Sequence, residues 1–216
     1  ILEWKPTLAI SFSHFANHSF GRALPENSPV KWTAVITGMG RLFIPRKGVG
    51  EWGRRLLRKG LVREFRKLAP GTHAILTLNP DDLKELQSWG PECAAKGSRL
   101  PLGEGVRTDR FGIDPEKRNQ WRTEHGYTAD DFVCGYIGRW MPEKGADLFA
   151  DLAQASTRPE IKWGMAGRSD LGGGLKFYNK IQHLSRAGVL RLLPWQKDPS
   201  ALYNGIDLLI YPSIRE

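Results

Sequence analysis

Short apolar runs alternate with amphipathic stretches of helical period along almost the whole chain, and this alternation limits the fold more than any other feature. Runs at residues 7–13, 31–37, 73–78, 132–137, 161–166, 189–193 and 206–211 read as strands. Helical patterns lie between them, at residues 18–24, 51–69, from Pro80 onward, 115–125, 146–156, 174–187 and 199–204. Short apolar strands separated by amphipathic helices predict an α/β protein with parallel sheets and helices on both faces. In such sheets ligands collect beyond the carboxyl ends of the strands.

Residues 90–115 interrupt the pattern. They carry Pro91, Gly97, Pro101, Gly103, Gly105, Gly112 and Pro115 and read mostly as connector. A boundary near Thr108 follows, with domains at 1–107 and 108–216, each Rossmann-like. The chain does not begin with methionine, and it stops directly after an apolar run, so it reads as an internal piece in which both domains are incomplete.

Lys and Arg outnumber Asp and Glu by 32 to 23, a net charge of +9. That balance favours acidic partners: nucleotides, nucleic acid or an anionic membrane surface. No stretch approaches the apolar length needed to span a bilayer. Cys93 and Cys134 are far apart and read as free thiols in a reducing compartment, so the cytoplasm is the expected location. His14 and His18 have neither an intervening glutamate nor a third ligand nearby, so no metal site is expected.

The segment with most chemical content is Gly138-Arg139-Trp140-Met141-Pro142-Glu143-Lys144-Gly145, between an apolar strand and a helix. A guanidinium can hold two phosphate oxygens at once. Lys144 precedes a predicted helix start, where free N–H groups also attract anions. In a dry site each such donor supplies about 3–4 kcal/mol of stabilisation to developing charge. A second glycine loop, Ala166-Gly167-Arg168, follows the next strand. The tail, Ile206 to Glu216, sets a carboxylate past a third strand end.

These residues resemble the C-terminal half of family 4 glycosyltransferases, retaining enzymes with the GT-B fold of two Rossmann-like domains. The family pattern GR-x4-KG matches Gly138, Arg139, Lys144 and Gly145, and PS-x2-EG matches Pro212, Ser213 and Glu216. The N-terminal part is similar less sharply. Ile36-Thr37-Gly38-Met39-Gly40 resembles a "TGLG" loop, and Asn79-Pro80-Asp81-Asp82 resembles a strand–helix junction of enzymes that build surface polysaccharides.

The resemblance implies transfer of a hexosyl or N-acetylhexosaminyl group from a nucleoside diphosphate sugar, UDP above all, to a lipid-linked or glycan hydroxyl, with retention and without a metal or other cofactor. It implies Arg139, Lys144 and Glu216 as catalytic residues. Gly138, Gly167 and Trp195 join them in donor binding, with Thr37, Gly38 and Gly40 on the acceptor side; His14, like His18, is read for acceptor binding or acid–base work from its place past a strand's carboxyl end alone. Thr37 stands where many members carry histidine, and the second glutamate of the family's Glu-x7-Glu pair is absent, so this chain is expected to transfer little by itself. One rival of the same fold is a nucleotide-sugar epimerase. The rival of another class is a basic nucleic-acid-binding module, for which no motif appears.

Residues 51–69 read as a basic amphipathic helix. Trp52, Leu56, Leu57, Leu61, Val62, Phe65 and Leu68 approximate one apolar stripe, and Arg and Lys crowd the rest. The stripe suits either a core or an anionic membrane surface, which would make the protein peripheral at the inner face of the membrane.

Overall fold

The computed structural model describes residues 4–43, 50–101, 103, 105–169, 174–194, 196 and 198–213. Its internal contacts divide the chain into two compact units, Ile1–Gly105 and Val106–Glu216. Trp195 and Glu216, both read from the sequence as donor-side residues, lie outside the described residues.

The first unit is a parallel sheet in the order β1-β2-β3-β4. Its strands are β1 (Leu8–Phe12), β2 (Lys31–Ile36), β3 (Ala74–Thr77) and β4 (Gly97–Arg99). The helices are α1 (His14–Ala23), α2 (Glu51–Leu68), α3 (Pro80–Gln87) and α4 (Pro91–Lys96). From Trp32 to Ile36 every residue of β2 is buried, as expected for a central strand covered on both faces. Trp32, Ile36, Met39, Phe65, Ile75, Leu86 and Trp89 form the core.

The second unit is a parallel sheet in the order β7-β6-β5-β8. It contains α5 (Pro115–Glu124), β5 (Phe132–Ile137), α6 (Ala146–Ala155), β6 (Ile161–Ala166), α7 (Gly174–Arg186), β7 (Arg191–Leu193), α8 (Pro199–Gly205) and β8 (Leu208–Leu209). Side chains from β5 and β6 alternate between two apolar clusters. Tyr136 and Met165 join Phe149 and Ile181. Val133 and Ala166 join Trp121 and Leu202.

Three helices start with the same device, an Asx residue followed by proline. Asn79, Asp114 and Asp198 each accept a backbone N–H of the first turn, at 2.8, 3.0 and 3.1 Å. The proline follows where no N–H is needed. Inside the second unit, Asp207 ties α5 to the start of β8. Its carboxylate accepts from Val133 N–H at 2.7 Å and pairs with Arg118 and the buried Arg122.

Several expectations are corrected. Residues 90–115 are not all connector, because α4 and β4 lie there. Gly97 is a packing glycine, since a Cβ on it would stand 2.7 Å from the Cys93 carbonyl oxygen. The first helix begins at His14, four residues earlier than its apolar pattern indicates. The last run, 206–211, forms only the two-residue strand Leu208–Leu209. Nor is the apolar stripe of α2 one seam: Leu61, Val62, Phe65 and Leu68 pack on the core, whereas Trp52, Leu56 and Leu57 are exposed.

Candidate functional site

In the second unit, three chain segments meet beyond the carboxyl ends of the strands. The loops after β5 and β6 stay paired past the sheet. Gly138 N–H donates to the Ala166 carbonyl at 3.1 Å, and Trp140 N–H donates to the Arg168 carbonyl at 3.0 Å. Contact is so close that a Cβ on Gly167, whose φ is 128°, would stand 1.9 Å from the Gly138 carbonyl oxygen. The third segment is Tyr211 to Ser213. A Cβ on Gly145 would meet the Pro212 carbonyl oxygen at 2.2 Å, and Ser213 Oγ donates to the Glu143 carbonyl at 3.3 Å. Glycines are required here because backbone approaches backbone.

The turn carrying Arg139 and Lys144 is fixed from below. Tyr136 Oη donates to the Arg139 carbonyl at 2.7 Å. The Lys144 ammonium stands 6.0 Å from the centroid of the Tyr211 ring, at the outer range of a cation–π contact. A 3-10 turn, Pro142–Lys144, precedes α6, and Gly145 takes the left-handed conformation between them. Lys144 therefore ends this turn and directly precedes Gly145, the N-cap of α6.

A cavity of about 710 Å³ opens on these loops, within the range of small-molecule sites. Gly138, Arg139, Gly167, Arg168, Arg110 and Gln196 contribute to its lining. Three of them are arginines, and among the described residues no carboxylate lines the cavity. Arg110 is held at 3.2 Å by Asp198, which neighbours the site. Gln196 is fixed by accepting from Trp121 Nε1 at 3.2 Å and donating to the Pro194 carbonyl at 2.9 Å. Such a lining attracts anions through both field and directed donors.

Of the donor-side residues read from the sequence, Gly138, Arg139 and Gly167 line this cavity, whereas Lys144 does not. Arg110 and Gln196 also line it, without a local signal in the sequence. Arg168 carries a local signal in the sequence, its place directly after a glycine at a strand end.

In the first unit, the residues expected on the acceptor side lie at the carboxyl ends of β1 and β2. Ser13, between β1 and α1, has a φ of 79°, a left-handed conformation that is uncommon outside glycine. His14 follows as the first residue of α1. Both ring nitrogens are shielded from solvent and lack a hydrogen bond. The ring stacks on Phe43 and meets the edge of Phe65, at centroid separations of 6.4 and 5.4 Å.

Burial pushes the His14 pKa down, opposed by the backbone of Met39 and Gly38 and by the charge of Asp82. The lowered pKa favours the neutral form of a ring that lies beside the Gly38–Met39 backbone. Gly40 is left-handed at φ 74°, and Thr37 is exposed. His18 turns away to Glu64, 3.7 Å distant. Among the described residues no group of His, Cys, Asp and Glu could hold a metal ion.

No family profile and no curated protein sequence matches the chain. Solved structures do. Anabaena Alr3699/HepE, crystallised with UDP and glucose, has a TM-score of 0.74 at 16% identity, over 96% of this chain and 52% of that one. Sucrose-phosphate synthase from Thermosynechococcus elongatus has a TM-score of 0.67 at 18% identity, over 96% of this chain and 50% of that one. The catalytic domain of starch synthase IV from Arabidopsis thaliana, bound to ADP and acarbose, gives 0.64 at 16%, over 97% and 52%. The chain thus spans about half the length of these proteins. The likeness shows the fold: two parallel four-stranded sheets that match half of a GT-B fold.

Proposed function

We propose that this chain takes part in glycosyl transfer from a nucleoside diphosphate sugar, UDP in particular. A hexosyl or N-acetylhexosaminyl group would pass, with retention, to a hydroxyl of a lipid-linked or glycan acceptor in surface polysaccharide assembly. The observation that carries the reading is the arginine-lined cavity on the paired glycine loops of the second unit. That solved structures of like fold were crystallised with UDP or ADP supports a nucleoside diphosphate as its occupant.

In this reading Arg139 grips the diphosphate with its guanidinium fork, and Gly138 and Gly167 let backbone approach the phosphates. Lys144 neutralises charge as the diphosphate departs, after a short swing of its flexible stem from the Tyr211 ring. The bond from the anomeric carbon to the diphosphate oxygen breaks. The acceptor oxygen bonds to the same face of the sugar, and its proton passes to the departing phosphate. Two side-chain cations balance the leaving charge, so the proposal needs no metal. Neutral His14, beside Gly38 and Gly40, would orient an acceptor hydroxyl.

Titration of the chain with UDP tests the reading. Saturable binding is expected, weakened about tenfold or more in Arg139→Ala, since a charge-assisted bidentate contact is lost. In a chain competent for transfer, Lys144→Ala is expected to lower turnover about a hundredfold. Unchanged turnover in that variant, or binding of duplex DNA in place of UDP, contradicts the assignment.

A further inference from the structure

Helix α2 carries two separate surfaces. Its inner surface, Leu61, Val62, Phe65 and Leu68, belongs to the core of the first unit. Its outer surface is formed by Trp52, Leu56, Lys59, Arg63 and Lys67, spaced by three or four residues and therefore on one face. Trp52 is 73% exposed and Leu56 48%, and Leu57, on the flank, is 63% exposed. The apolar side chains that serve the core and those left exposed are therefore different residues.

The charge on α2 is strongly one-sided. Its sequence holds seven Arg and Lys residues against Glu51 and Glu64. Lys59, Arg63 and Arg66 make no ion pair among the described residues, whereas Arg58 is held by Glu85 at 2.7 Å. Beside the outer face lies an open groove of about 920 Å³, walled by Arg55, Lys59, Arg63, Arg66 and Trp89. No helix among the described residues is long and apolar enough to cross a membrane.

We infer that α2 lies flat on an anionic phospholipid surface. Trp52, Leu56 and Leu57 enter the boundary between headgroups and acyl chains, while the basic groove faces the headgroup phosphates. The apolar patch selects this occupant. A duplex nucleic acid would use the cations but has no place for exposed leucines, whereas an interfacial helix needs both. Charge supplies attraction that weakens with salt, and the patch supplies depth. The inference uses no residue of the nucleotide cavity, so UDP binding measured on the same preparation separates its failure from failure of the proposed function.

The test is co-sedimentation of the full 216-residue chain with vesicles of phosphatidylcholine alone and of phosphatidylcholine mixed with phosphatidylglycerol. Binding to the mixed vesicles is expected in moderate salt, with release in high salt and little binding to the neutral ones. The triple variant Lys59→Gln, Arg63→Gln, Arg66→Gln is expected to bind at least about tenfold more weakly. Trp52→Ser is expected to bind about fivefold more weakly. All four sites are exposed, so circular dichroism should show an unchanged fold. Three results would overturn the inference: no binding to the anionic vesicles, triple-variant binding equal to that of the parent, or capture of duplex DNA but not of vesicles through the same residues.

Discussion

His14 shows how one residue acquires a property that its type does not supply. The left-handed Ser13 turns the chain from β1 into α1, and the imidazole is placed between Phe43 and Phe65 with both nitrogens out of solvent. Burial lowers its pKa from the ordinary value of 6.5. The sign of the consequence follows from linkage. Below 6.5 the unfolded chain takes up a proton at this position while the folded chain does not, so stability present above that pH is lost as pH falls. Urea unfolding followed between neutral and mildly acidic pH should show this loss, and His14→Gln should reduce the slope. An identical slope in the variant would mean that the ring protonates freely in the folded state. From sequence, His14 is legible only as a histidine past a strand end. Its neutral state comes from Phe43 and Phe65, which are distant in the chain and nearby only after folding.

At the scale of elements, legibility follows how local the cause is. The strands 132–137 and 161–166 are read correctly to the residue because mainly apolar runs are bounded by Asp131 and Glu160 before them and by Gly138 and Gly167 after them. The Asx-Pro helix starts at Asn79, Asp114 and Asp198 are equally local. The reading of 90–115 as mostly connector misses only the short α4 and β4, because glycine and proline mark breaks in the pattern without saying whether packing uses them. Gly97 sits in β4 against α4, and Pro91 opens α4. The nucleotide cavity divides the same way. Gly138, Arg139 and Gly167 could be found from their places after strands, but Arg110 and Gln196 reach the cavity from segments whose role only the fold reveals. The paired loops also give a prediction of their own. Gly167→Ala places a methyl group where the Gly138 carbonyl oxygen stands and strains a φ of 128°. The expected cost is about 2 kcal/mol or more in urea unfolding of the second unit, followed by Trp fluorescence. Equal stability would show that the two loops separate readily.

For the whole molecule, the two units carry different chemical surfaces. The first presents a neutral histidine beside a glycine turn, and a basic helix with an apolar outer patch. The second presents an arginine-lined cavity on loops locked together by glycines. A larger cavity, about 830 Å³, lies at the opposite, amino ends of β5, β6 and β7, lined by Arg158, Lys162 and Arg191 among others. Cavity size alone would favour that end, although Asp131 also lines it, whereas the parallel-sheet argument favours the carboxyl end. Amide chemical-shift mapping of the isotope-labelled chain during titration with UDP decides between them and tests the central claim most directly. The account predicts saturating shifts at Gly138, Arg139, Gly167, Arg168 and Gln196, with Arg158 and Arg191 undisturbed. Shifts centred on Arg158 and Arg191, or no saturable shifts at all, would contradict it.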